Sequence, residues 1–290
     1  MNGGHLGRVS PVYRLPFTVH AFSSVSLPAK KSLGQHFLQD PRILARIADA
    51  LEATAADTVI EIGPGLGGLT AALVERAGRV VAIEKDRSLV PALRKRLPRV
   101  SVVEGDALAV DWPAAAGGGD YLLTGNIPYN ITSPLLEKAL EPPRPSRIVF
   151  LVQHEVAERM AAPAGARAYG ALTVGIQARA SVELLFRVPP GAFVPRPRVD
   201  SALLRLRPLA RPVVPDERRR EFRRLVVGLF GFRRKQLLRG LRELTGWPPD
   251  LAAQALANAG LDGSRRPETL SVAEYASLLD ALVDAGWEGG

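Results

Sequence analysis

No cysteine occurs among the 290 residues. That absence excludes disulfides, thiolate zinc sites, iron–sulfur clusters and cysteine nucleophiles. Histidine is nearly as scarce: His5, His20, His36 and His154 are too few and too far apart for a metal cage. Long apolar runs are missing as well. Stretches such as Leu225 to Phe232 fall far short of the roughly 20 residues that span a bilayer. Acidic residues are absent until Asp40, and residues 1–29 carry two arginines amid scattered Ser, Gly and Pro. That acid-poor composition is shared by transit peptides, but the continuous apolar core of a secretory signal is lacking, and a flexible N-terminal tail is expected there. What remains has 47% apolar and 23% charged residues, the balance of a soluble globular protein. A cytoplasmic, metal-free protein of about two domains is expected.

The charge is unevenly placed. Lysine and arginine number 38 against 29 acids, a net +9. Residues 1–184 hold 20 basic and 17 acidic side chains, residues 185–245 hold 16 and 5, and residues 246–290 hold 2 and 7. The middle segment, at +11, therefore exceeds the whole net charge. Such a concentration is either a solvated basic face or the electrostatic footprint for a polyanion, of which nucleic acid is the usual one. A membrane surface fits less well, because no long amphipathic helix with aromatic anchors accompanies the charge.

From Asp57 onward, strand and helix patterns alternate. Thr58 to Ile62, Arg79 to Glu84, Val100 to Val103, Tyr121 to Thr124 and Arg147 to Val152 read as strands. Leu66 to Ala77, Arg87 to Leu97 and Pro134 to Leu140 read as helices between them. This order predicts a parallel sheet covered by helices on both faces. Val182 to Val188 and Ala202 to Leu206, joined by a proline-rich stretch, read as a closing antiparallel pair. Beyond Pro215 only short helices are expected, at 216–230, 233–243, 250–259 and 271–285. The expected organisation is a tail (1–29), an α/β domain (30–210) and a smaller all-helical domain (211–290).

Three strand ends carry chemistry. Glu61-Ile-Gly63-Pro-Gly65-Leu-Gly67-Gly68 follows the first strand and opens a helix, where glycines let bare backbone approach a ligand. Glu84 ends the next strand, 21 residues after Gly63, the place where a carboxylate can accept both ribose hydroxyls of a nucleoside. That spacing suits NAD and S-adenosylmethionine equally. Asp106, after the third strand, can accept an adenine amine, or can simply be the N-cap of the next helix. Carboxylates and glycines at successive carboxyl ends of a parallel sheet favour the cofactor role over the cap. The most specific element is Asn126-Ile-Pro128-Tyr129 at the end of the fourth strand. The alternative there is an ordinary Asn-Pro turn.

Asn-x-Pro-Tyr at this place resembles the adenine-amine methyltransferases. Four further segments narrow the resemblance: Lys31-Ser-Leu-Gly-Gln35-His36-Phe37-Leu38, Phe193-Val-Pro-Arg-Pro-Arg-Val-Asp200-Ser201, Phe232-Arg233-Arg234-Lys235-Gln-Leu, and Arg266-Pro-Glu-Thr-Leu270-Ser. Together these are similar to the ribosomal RNA small subunit adenine dimethyltransferases, from about Lys30 to Leu282. The resemblance implies a Rossmann-like S-adenosylmethionine sheet with a helical C-terminal domain. It implies a cofactor pocket of His36, Leu38, Gly63, Glu84, Asp106 and Asn126. In the target site Asn126 and the carbonyl of Ile127 would accept the two hydrogens of the amine, with the base between Tyr129 and Phe193. Arg233, Arg234 and Lys235, within the basic segment, are expected to hold rRNA phosphates. Substrate and partner would be 16S rRNA and the small ribosomal subunit, for a protein expected to be monomeric. The erythromycin-resistance methylases of large-subunit rRNA share the first half of the pattern and rank second. Mitochondrial relatives have only the unusual first 29 residues in their favour. Two other classes compete: a nicotinamide dehydrogenase, which leaves Asn126 to Tyr129 without a purpose, and a non-catalytic ribosome-assembly factor.

Overall fold

The computed structural model describes residue 30 and residues 33–289. The tail expected at 1–29, and Lys31 and Ser32 of the first motif, lie outside the described residues. The chain opens with a short strand β1 (Phe37–Leu38) and helix α1 (Pro41–Ala50). It then alternates β2 (Thr58–Ile62), α2 (Gly68–Val74), β3 (Arg79–Glu84), α3 (Val90–Arg96), β4 (Ser101–Glu104) and α4 (Trp112–Ala116). β5 (Leu122–Asn126), α5 (Thr132–Ala139) and β6 (Arg147–Gln153) complete this pattern. Helices α6 (His154–Ala161) and α7 (Ala171–Gln177) come next, followed by β7 (Ala180–Val188), β8 (Phe193–Val194) and β9 (Ser201–Pro208). The described chain finishes in α8 (Arg219–Gly231), α9 (Leu237–Thr245), α10 (Pro249–Asn258) and α11 (Val272–Asp284).

Seven strands form one sheet in the order β4-β3-β2-β5-β6-β9-β7. The first five are parallel, and β9 inserts antiparallel between β6 and β7. The Rossmann-like class and the closing antiparallel pair follow the sequence pattern. The strands alternate faces with period two. Ile60, Ile62, Val81, Ile83 and Leu123 pack into one core beneath α4 and α5. Val59, Val80, Ala82 and Leu122 pack into the other, with Leu44, Ile47, Leu69 and Leu73 of α1 and α2. A third core belongs to α8–α11, among them Phe222, Leu225, Leu241, Tyr275 and Leu278, and it also takes in Tyr169 and Val174.

Helix ends are fixed locally. Asp40 accepts the amides of Arg42 and Ile43 at the start of α1, and Ser271 with Glu274 forms a reciprocal cap on α11, the arrangement that satisfies two otherwise orphaned amides. Two expectations need correction. Helices α6 and α7 occupy a stretch for which the sequence pattern offered no element. Residues 233–243 are also not one helix. Arg233 to Lys235 form a turn, with Lys235 N–H donating to the Phe232 carbonyl at 2.8 Å, and α9 starts at Leu237. The buried spacing of α9 is Leu237, Gly240 and Leu241, so the basic run offers the third core nothing to bury.

Candidate active site

The parallel strands end together: Ile62 lies beside Gly125, Glu84 beside Glu104, and Asn126 beside Leu151. Over these ends lies an open cleft. The segment Leu33 to Phe37 forms one wall; Gly63, Glu84, Asp106 and Asn126 to Ile131 contribute the others. Leu38 lines a smaller adjoining cavity together with Glu61, Gly63, Gly65 and Asn126. Every residue that the resemblance assigned to the cofactor thus meets in two contiguous spaces.

The glycines are required here. Gly65 has φ +57°, and a Cβ on it would sit 2.9 Å from the Phe37 ring. A Cβ on Gly125, just before Asn126, would sit 2.5 Å from the Ile62 carbonyl. Only bare backbone lets β5 approach β2 this closely.

Glu84 is buried, and its carboxylate accepts the amides of Asp86 at 2.7 Å and Gly65 at 3.1 Å. Burial raises its pKa against those hydrogen bonds. Asp106 pairs with Lys85 at 2.7 Å and accepts the Leu108 amide at 2.9 Å. Lys85 is the main reason its pKa is lowered. Asp106 is not the cap of the next helix, since Asp111 takes that place at the start of α4, and Asp106 lines the cleft.

At the strand end, Asn126 Nδ2 donates to the backbone carbonyl of His36 at 2.7 Å. A carbonyl can only accept, so the amide nitrogen faces His36 and the amide oxygen faces away from it. His36 Nδ1 lies 2.7 Å from the Pro195 carbonyl and, since a carbonyl only accepts, must donate there. The Tyr129 hydroxyl lies 3.0 Å from Ser201 Oγ, and burial raises its pKa. The rings of His36 and Tyr129 face each other at 6.1 Å with 25° between their planes.

Two sequence-predicted features lie elsewhere. Phe193, expected opposite Tyr129, is 3% exposed, pairs with Leu38 across the β1–β8 ribbon and packs in the core of α1 and α2. It does not line the cleft; the ring facing Tyr129 belongs to His36. In the basic turn, Arg233 is held by Glu268 and by the Arg167 carbonyl, and Lys235 pairs with Glu243 at 3.2 Å. Arg234 alone of the three is exposed without an ion pair among the described residues.

Two neighbours of the site were not singled out from sequence. Asp86 is buried and holds the N-terminal wall, accepting from Lys30 Nζ at 2.6 Å and Gln35 Nε2 at 2.9 Å. Burial opposes its ionisation, but Lys30, Ser88 and Gln35 keep its pKa far below the usual carboxylate range. Glu61 is 1% exposed, and its Oε2 has no hydrogen-bond partner. Burial, with Glu84 adding to it, pushes its pKa from 4.5 to about 8. An acid inside an otherwise apolar strand was the available signal for Glu61.

This arrangement agrees with what the chain resembles. The family described as ribosomal RNA adenine dimethylase matches residues 27–284. The chain belongs to that family. It is 44% identical over 273 residues to ribosomal RNA small subunit methyltransferase A of Pelotomaculum thermopropionicum, covering 89% of this chain and 92% of the relative. The Anaeromyxobacter dehalogenans protein of the same name is 46% identical over 270 residues, 88% of this chain and 94% of the relative. A dimethyladenosine transferase from Plasmodium falciparum superposes with a TM-score of 0.79 at 27% identity, over 87% of this chain and 99% of that one. The 23S rRNA methyltransferase ErmE superposes at 0.69 with 30% identity, over 85% and 99%. Among the described residues, no helix is long and apolar enough to cross a membrane.

Proposed function

We propose that this rRNA adenine methyltransferase uses S-adenosylmethionine to dimethylate the exocyclic amines of two adjacent adenosines in the 3′-terminal hairpin of 16S rRNA. It would act as a cytoplasmic monomer during small-subunit biogenesis. The small-subunit names of relatives 44% and 46% identical support this target over the large subunit. The observation that carries the chemistry is the Asn126 amide, held by the His36 carbonyl at 2.7 Å so that its oxygen stays available.

The residues present fit the cofactor. The glycine loop leaves room at Gly63 and Gly65, and the buried, unpartnered Glu61 Oε2 in the adjoining cavity is an acceptor without a donor. His36, Leu38, Gly63, Glu84, Asp106 and Asn126 would hold S-adenosylmethionine, with Glu61 facing its cationic end. When bound, the cofactor supplies an electrophilic methyl on a sulfonium.

The chain's own residues do the positioning. Asn126 Oδ1 accepts one hydrogen of the target amine and the Ile127 carbonyl the other, favouring a pyramidal nitrogen whose lone pair faces the methyl. Tyr129 offers its face to the extruded base. Ile127 is 1% exposed, so its backbone is fixed, and Pro128 restricts the turn further. No strong general base is needed, because the amine turns acidic once alkylated and sheds its proton afterwards. Orienting two reactants in this way can supply several kcal/mol, up to roughly 7–11. The basic segment, with exposed Arg234, would bind rRNA phosphates.

The deciding measurement is mass spectrometry of small-subunit rRNA from cells with and without the gene. Dimethyladenosine at the 3′ end is expected only when the gene is present. In purified protein, Asn126→Ala should lose transfer by about 10²–10³-fold while still binding S-adenosylmethionine at least weakly. Near-normal turnover in that variant refutes the assigned role.

A further inference from the structure

A second cavity, about 990 Å³ with its mouth, lies between α5, α7 and α8. It sits at the opposite edge of the sheet from the cleft. Ala180, next in sequence to Arg179 of its lining, pairs with Pro208, whereas Asn126 lies at the level of Leu151 on β6. Through the β6–β9 register the two levels are five residues apart, roughly 17 Å at about 3.3 Å per residue. One wall is apolar: Leu172, Ile176, Val214, Phe222 and Val226.

Into this space goes Arg179, only 9% exposed. Its Nε donates to the Gly175 carbonyl at 3.0 Å, near the end of α7. No carboxylate makes an ion pair with it among the described residues, because each nearby acid is already taken. Asp216 pairs with Arg144, Glu137 with Arg223 at 3.1 Å, and Glu141 with Arg219 at 2.8 Å. Burial, then Arg219, depress the pKa of Arg179, with Glu137 opposing. Four guanidinium groups thus face three carboxylates, and the surplus charge is the buried one. A buried charge lacking a partner is costly. A guanidinium fork is suited to a planar oxyanion bound through two parallel hydrogen bonds.

We infer that this cavity is a binding site for a small amphipathic monocarboxylate, its carboxylate on Arg179 and its apolar body against Ile176, Phe222 and Val226. A single surplus charge matches a monoanion better than a phosphate dianion. The apolar wall gives a sugar–phosphate backbone nothing to bond, and the distance from the cleft separates the site from the methyl-accepting base. Its walls come from α7, which feeds the sheet, and from α8 of the helical part, so an occupant bridges the two.

The test is calorimetric titration of the full chain with phenylacetate, phenylacetamide and phenyl phosphate. Phenylacetate should bind one to one, at least about tenfold more tightly than either analogue, a difference of roughly 1.4 kcal/mol. Arg179→Met should weaken it by about tenfold or more. Val227→Trp should do the same by filling the mouth; Val227 is 53% exposed, so this change leaves the fold and the guanidinium intact. Absence of saturable phenylacetate binding overturns the proposal. Equal affinity for the neutral amide, preference for the phosphate, or undiminished binding by the Val227→Trp protein does so as well.

Discussion

Glu61→Gln is the most informative single change in the site. Glu61 is 1% exposed, one carboxyl oxygen lacks a partner, and its pKa is pushed from 4.5 to about 8 by burial and then by Glu84. Between those two values the native protein keeps a proton that the unfolded chain releases. Stability is therefore fully present below about 4.5, falls as pH rises, and levels off above about 8. At about 1.4 kcal/mol per tenfold change in acid constant, the loss is on the order of 5 kcal/mol as an upper bound. Glutamine has the same shape and no proton to lose. Urea denaturation should give coincident stabilities near pH 4, with the variant ahead by several kcal/mol near pH 9. Cofactor binding should reverse that advantage. A cationic ligand group beside Glu61 would ionise it, so wild-type binding near neutral pH should release a proton, detectable calorimetrically in buffers of different ionisation heat. The substituted amide cannot respond in this way, and affinity should fall. Parallel stability curves for the two proteins between pH 4.5 and 8 refute the reasoning, since they mean that Glu61 titrates as an ordinary surface acid.

The basic turn and the N-terminal wall give two further tests. Arg234→Glu should weaken rRNA binding and lower the magnitude of its salt slope by about 1 without changing Tm. Arg233→Glu should lower stability by about 1–3 kcal/mol, because it breaks the tie to Glu268 and the Arg167 carbonyl; equal stability of the two variants contradicts this split. Asp86→Ala should release Lys30 and Gln35 and cost about 1–3 kcal/mol, with cofactor affinity falling too. Wild-type affinity in that protein means the Leu33 to Phe37 wall does not need its anchor.

The sheet was legible because its signals are local. Val-Ile and Val-Val pairs at Val59-Ile60 and Val80-Val81 sit on strands buried on both faces, and each strand ends in glycine or a carboxylate. Helices α6 and α7 were not legible. Their buried residues are sparse, Ala157 and Met160 in one and Thr173, Val174 and Ile176 in the other, so no helical period stands out. They are held instead by distant partners: Tyr169, between them, donates its hydroxyl to the Leu270 carbonyl at 2.8 Å, 101 residues away. The basic turn was misplaced for a related reason. Composition shows where the charge is, but the ion pairs that engage Arg233 and Lys235 depend on which acids the fold brings near.

In the site, residue type was readable and orientation was not. Asn126 at a strand end announces an amide at the cleft, but the choice between presenting oxygen and nitrogen is made by the His36 carbonyl, 90 residues earlier. His36 is in turn aimed by the Pro195 carbonyl, 159 residues later. The same Leu33 to Phe37 segment that orients the amide also walls the cleft, and Asp86 fastens it to the end of β3 through Lys30 and Gln35. Cofactor pocket and amine acceptor therefore share one support. A perturbation that loosens it should lower cofactor affinity and turnover together, whereas truncating Asn126 itself should cut turnover far more than cofactor affinity.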